Sequence, residues 1–130
     1  MTDTKSRLDR AFIEKQRRQL TLLRQQILAV RQARVNEQAA TNAEASGRAR
    51  EYEDDAQKLT SLELQENLNA VDDDRLSNIE RALQRIDEGT YGLSVGSGAP
   101  IAIERLEATP EALYTIDEQQ SRDALRGAAP

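Results

Sequence analysis

Cysteine, histidine and tryptophan are absent from all 130 residues. Without a thiol or an imidazole the chain has no disulfide, thiolate zinc site, cysteine nucleophile or histidine general base. Aromatic residues make up only 3%: Phe12, Tyr52, Tyr91 and Tyr114. A compact globule of this length buries several aromatic rings, so a thick core is not expected. No run approaches the roughly 18 apolar residues of a membrane span. The start, Met1-Thr2-Asp3-Thr4-Lys5, lacks the apolar stretch of a secretory signal. A cytoplasmic location is expected.

What is present is charge and helix formers. Charged residues make up 32% and hydrophobic ones 38%, rich in Leu, Ala, Glu, Gln and Arg, the composition of long helices. The net charge of −5 is unevenly spread. Residues 1–35 hold nine Lys or Arg against three Asp or Glu, and the remainder nine against twenty. An acidic chain is poorly suited to a phosphate backbone. The basic first third more naturally complements an acidic second helix.

Leu8, Phe12, Ile13, Leu20, Leu23, Ile27 and Val30 recur in steps of three and four, which predicts a helix from about Arg7. Thr4 or Ser6 is placed to cap it. No Gly or Pro interrupts before Gly47. A helix of about 38 residues is roughly 57 Å long, the scale of a coiled-coil arm. Past Val35 the stripe weakens to alanines, and Ser46-Gly47 marks its end, with a turn within 46–55. A second helix is expected from Asp54 or Asp55, whose carboxylates suit a helix N-terminus. It carries Leu59, Leu62, Leu64, Leu68, Val71, Leu76, Ile79, Leu83 and Ile86, with an irregularity at Asp72-Asp73-Asp74, read as an exposed face. Gly89 ends it. Helices joined so briefly return antiparallel, which puts Glu53-Asp54-Asp55-Ala56 at the far tip of a rod.

From Gly89 the character changes to turns around short extended pieces, a small strand or turn at Ile101–Leu106, and a last helix opened by Pro110 or Glu111. About 40 residues are marginal alone, so this module is expected to pack on the base of the rod. Ser94-Val95-Gly96-Ser97-Gly98 lacks the Lys-Ser/Thr of a phosphate loop. Serines without a histidine have no activating base, and a thin helical pair offers no pocket. Catalysis is not expected.

The run Ile79-Glu80-Arg81-Ala82-Leu83-Gln84-Arg85-Ile86-Asp87-Glu88-Gly89-Thr90-Tyr91-Gly92 resembles the passage from coiled coil to zinc finger in the DksA/TraR family. Gly98-Ala99-Pro100-Ile101 and Arg105-Leu106-Glu107-Ala108-Thr109-Pro110-Glu111-Ala112 resemble the segment between that family's cysteine pairs. The resemblance implies a mainly α fold. A long antiparallel two-helix coiled-coil hairpin would span 1–88 with its tip near 46–56. A small zinc-finger-like module and short terminal helix would follow over 89–130.

The family's four cysteines fall at Ser94, Ser97, Thr115 and Glu118, so no zinc and no other resident cofactor is expected. Packing of Leu93, Ile101, Ile103, Leu106, Leu113, Tyr114 and Ile116 is expected to hold the module instead. The resemblance further implies a monomeric transcription regulator that binds RNA polymerase rather than DNA, through the secondary channel. Its tip would be Asp54, Asp55 and Ala56, matching the family's Asp-x-Ala arrangement. Synergy with ppGpp is a family property that no residue here marks. The alternatives are a self-associating adaptor coiled coil, or a transcript-cleavage factor whose carboxylates recruit Mg²⁺.

Overall fold

A computed structural model of the chain describes residues 8–45 and 52–128. The fold is mainly helical: α1 is Arg10–Ala45, α2 Tyr52–Glu88, α3 Ile103–Ala108 and α4 Ile116–Ala128. Among the described residues there is no strand, only an isolated antiparallel bridge between Leu93 and Pro100. No described helix is long and apolar enough to cross a membrane. The proposed caps Thr4 and Ser6, and the first part of the expected turn at 46–51, lie outside the described residues.

The chain divides into two units, one of residues 1–22 with 77–130 and one of residues 23–76. The first holds almost all of the buried core. Leu20, Ile79, Ala82 and Leu106 are fully enclosed, and Leu8, Ile86, Tyr91, Ile101, Ala112 and Leu113 join them. α1 and α2 run antiparallel here, tied at the surface by Arg17 and Asp87 at 3.0 Å. The end of α2 is fixed by backbone geometry. Gly89 takes a φ of 80°, and the Thr90 and Gly89 amides donate to the carbonyls of Arg85 and Ile86 at 2.8 and 3.2 Å. That pair of bonds is a Schellman motif, which L side chains at the glycine position disfavour. The Arg85 side chain then donates to the Thr90 and Leu93 carbonyls, holding the following turn.

Two expectations for the tail are corrected. Residues 103–108 form α3, a short helix rather than a strand or turn: Ile101 is buried, whereas Ile103 is 42% exposed. The alternation of the two isoleucines was therefore not that of a strand. α4 opens at Ile116 rather than Pro110, because Thr115-Ile116-Asp117-Glu118 is a capping box. The Glu118 amide donates to Thr115 Oγ1 at 3.2 Å, and the Thr115 amide donates back to Glu118 Oε1 at 3.4 Å. Of the expected module core, Ile101, Leu106 and Leu113 are buried, Leu93 and Tyr114 half-buried, and Ile103 and Ile116 exposed.

In the unit of residues 23–76 the helices also run antiparallel, but the contact is polar. Arg31 pairs with Asp73 at 2.6 Å, Arg34 pairs with Asp72, and Gln65 Nε2 donates to Gln38 Oε1 at 2.8 Å. Each step forward along α1 is matched by a step back along α2. Ile27 is the one buried hydrophobic side chain among this unit's described residues. The expected inward stripe is corrected: Leu59, Leu62, Leu64, Leu68 and Val71 are 60, 40, 58, 39 and 63% exposed. Continuing the inner face of α2 back from Leu76 by fours and threes reaches Asp72, Asn69 and Gln65, all half-buried. The aspartate run is where the apolar residues leave the inner face: Asp73 and Asp74 are exposed, as expected, and only Asp72 turns inward, half-buried in its ion pair with Arg34.

Candidate functional site

Two places carry the candidate residues, one in each unit. Asp54, Asp55 and Ala56 belong to the start of α2, which opens at Tyr52 rather than at the aspartates. Both aspartates thus sit in the first turn, where the helix dipole favours a carboxylate. Ala56 is exposed. Beside it lies a shallow depression of about 470 Å³ lined by Ala56, Gln57, Thr60 and Ser61.

The four positions where the resemblance puts zinc ligands are brought together around one carboxylate. Ser94 Oγ donates to Glu118 Oε2 at 2.9 Å. Ser97 Oγ and Thr115 Oγ1 donate to Glu118 Oε1 at 3.1 and 2.7 Å. The Gly96 and Ser97 amides in turn donate to Ser94 Oγ at 3.0 and 3.3 Å, and the Ala99 amide to Ser97 Oγ at 3.2 Å. The Glu118 carboxyl is held below its ordinary range, chiefly by the Thr115 hydroxyl, with Ser94, Ser97 and the Thr115 amide adding to the effect against some desolvation. Hydroxyls orient toward an anion here, and one carboxylate with three hydroxyls does not suit zinc. Among the described residues no cluster of three or more His, Cys, Asp or Glu could hold a metal. The site is a centre of negative charge satisfied by donors. It joins the loop after α2 to the first turn of α4.

Gly96 is the close approach that makes this possible. A Cβ there would stand 2.8 Å from Glu118 Oε2 and 3.5 Å from the Tyr114 ring. Outside the knot, Arg122 stacks 4.3 Å above the Tyr114 ring. These residues, with Asp117 and Ser121, line an open hollow of about 330 Å³.

Sequence reasoning missed a second polar centre in the same unit. Gln16, 1% exposed, donates to the Leu106 carbonyl at 2.7 Å and to the Tyr91 hydroxyl at 3.0 Å. Tyr91 donates onward to the Pro110 carbonyl at 2.8 Å. One glutamine from α1 thereby fastens α3 directly and, through Tyr91, the segment that follows it. Its signal in the sequence was its place between Phe12 and Leu20, in a four-residue rhythm begun at Leu8 where an apolar residue is expected.

No family model matches the chain. It is 30% identical over 116 residues to the RNA polymerase-binding transcription factor DksA of Caulobacter vibrioides, covering 82% of this chain and 77% of that one. It is 36% identical over 73 residues to general stress protein 16O of Bacillus subtilis, covering 55% of this chain and 45% of the relative. Among solved structures, transcription factor DksA2 from Pseudomonas aeruginosa superposes with a TM-score of 0.69 at 24% identity. That match covers 96% of this chain and 93% of the other, and shows the fold.

Proposed function

The chain belongs to the DksA family, and from that membership we propose that it regulates transcription by binding RNA polymerase, with no catalysis of its own. The observation that carries the reading is the match to a polymerase-binding transcription factor over 77% of its length. In this reading residues 1–88 are the helical hairpin, with its tip near 46–56, and residues 89–130 the docking module. The tip enters through the secondary channel, carrying Asp54, Asp55 and Ala56 toward the catalytic centre. A helix of 37 residues is about 55 Å long and, paired with a second, only about 20 Å across, dimensions suited to a channel closed to a globule. A carboxylate delivered there alters the field around bound metal ions and basic side chains. Initiation is changed without a new chemical step.

The acidic balance of the chain supports a protein partner over DNA. The Glu118 knot supports a base that needs no zinc to present the docking module. The test is a pull-down with core RNA polymerase followed by run-off transcription from a ribosomal-type promoter. Wild type and Asp54→Asn should both bind, and only wild type should change transcript yield. Equal regulation by both proteins would move the effect away from Asp54. Shortened RNA in a backtracked complex would instead favour a cleavage factor.

A further inference from the structure

The leucines of the outer half of α2 have no place in the fold as it stands. Gln57, Ser61, Leu64, Leu68 and Val71 follow one another in steps of four and three and, with Thr60 beside them, share one face of the helix. That face carries no charge, although α2 as a whole is strongly acidic: Glu63, Glu66, Asp73 and Asp74 all project elsewhere. Leu64, Leu68 and Val71 stand 58, 39 and 63% exposed. Meanwhile Arg34, Asp72, Gln38 and Gln65 take the inner face, where Arg34 Nε is buried without a hydrogen-bond partner. Apolar burial is the main driving force of folding, so a helix pair that buries its polar residues and displays its leucines is arranged for something outside it. Single exposed leucines are ordinary. An i, i+4, i+7 row on an uncharged face is the pattern of a partner-binding helix.

We propose that the Leu64, Leu68 and Val71 face of α2 is the grip by which this chain holds RNA polymerase, seated against an apolar, uncharged strip of the channel wall. The inference rests on the functional reading above and separates two tasks within it: the leucine face supplies affinity, and the tip carboxylates supply the effect. Continuity identifies the occupant. The face runs without a break from the depression at Ala56, Gln57, Thr60 and Ser61 to Val71. Those 15 residues span about 22 Å of one helix, so whatever encloses the tip must also enclose them. With no Lys or Arg between Gln57 and Val71 on this face, it offers a nucleic acid nothing to hold. Binding through it should depend only weakly on salt.

The experiment compares full-length wild type, the Leu64→Gln/Leu68→Gln double variant and Asp54→Asn. Affinity for core RNA polymerase is read by fluorescence anisotropy, with thermal unfolding and sedimentation of each free protein alongside. Each leucine is already about half exposed, so burying the rest is worth about 1 kcal/mol per residue. The double variant should bind about 30-fold more weakly, or about 2 kcal/mol. Its unfolding temperature should be unchanged, and Asp54→Asn should bind as wild type does. Equal affinity of wild type and the double variant overturns the inference while leaving the functional reading intact. A free wild-type dimer that the double variant dissolves overturns it too, assigning the face to a second copy of the chain. Failure of wild type to bind polymerase removes the functional reading and this occupant with it.

Discussion

Replacing Tyr91 with Phe deletes one oxygen at the point where α1, the loop after α2 and the segment after α3 converge. Tyr91 is 5% exposed, donates to the Pro110 carbonyl at 2.8 Å and accepts from Gln16 at 3.0 Å. In the variant Gln16 retains the Leu106 carbonyl, but the Pro110 carbonyl loses this donor. A buried acceptor left in that state costs about 1–3 kcal/mol. At about 4 °C per kcal/mol for a chain of this size, the unfolding temperature at neutral pH should fall by about 4–12 °C.

The wild type also carries an alkaline signature. Burial pushes the Tyr91 hydroxyl up from 10.0 to about 12, with Glu111 adding to the effect and the Gln16 bond opposing it. The folded state therefore prefers the protonated ring. Its contribution is whole below pH 10 and is lost as the pH rises from 10 toward 12. Two pH units correspond to about 2.7 kcal/mol in full, of which about 1.9 falls between pH 10 and 12 because the group is half ionised at each end, so wild type should lose about 8 °C more than Tyr91→Phe across that interval. Circular dichroism melts of both proteins at pH 7, 10 and 12 measure this directly. Equal losses in the two proteins between pH 10 and 12 would refute the reasoning, since Lys and Arg titrate alike in both.

Glu118→Ala should lower the unfolding temperature and speed amide exchange in α4 while sparing α1, with acetate partly restoring protection; exchange mass spectrometry reads this. Because the Glu118 carboxyl is held below its ordinary 4.5, its stabilisation is whole above that pH and fades as the pH falls below it. Glu118→Gln should accordingly flatten that acid limb in melts. Gly96→Ala puts a methyl group 2.8 Å from Glu118 Oε2 and should destabilise the module in the same assay, more than Gly127→Ala, which meets open space. A chelator or peroxide should leave the melting curve and polymerase binding unchanged, because the knot uses hydroxyls and a carboxylate in place of thiolates.

The long helices were legible because a 3.6-residue rhythm over 36 and 37 residues averages out local irregularity. The end of α2 was legible because only a left-handed residue completes a Schellman turn, and Gly89 supplies it. The facing of the outer leucines was not. In a helix pair with no third layer, the inner face is set by Arg34 with Asp72 and Gln38 with Gln65, and pairing across 38 and 27 residues leaves no local trace. Ile101 and Ile103 imitate a strand because alternation over two residues is too short to tell a strand from the entry to a helix. The meeting of Ser94, Ser97, Thr115 and Glu118 was suggested by family resemblance alone. That Glu118 is the anion the others surround depends on the capping box at Thr115, which the sequence displays and which was overlooked. Gln16 was hidden by its polarity, since its partners lie 75 and 90 residues away.

The central claim is that the start of α2 works inside RNA polymerase. The direct measurement places a photo-crosslinking side chain at Ala56, exposed beside the two aspartates, irradiates the complex with core enzyme and maps the product by mass spectrometry. The account predicts crosslinks to the catalytic subunits along the secondary channel and near the active centre, competed away by unlabelled protein. Crosslinks confined to the outer surface of a polymerase that is nonetheless bound and regulated would contradict it.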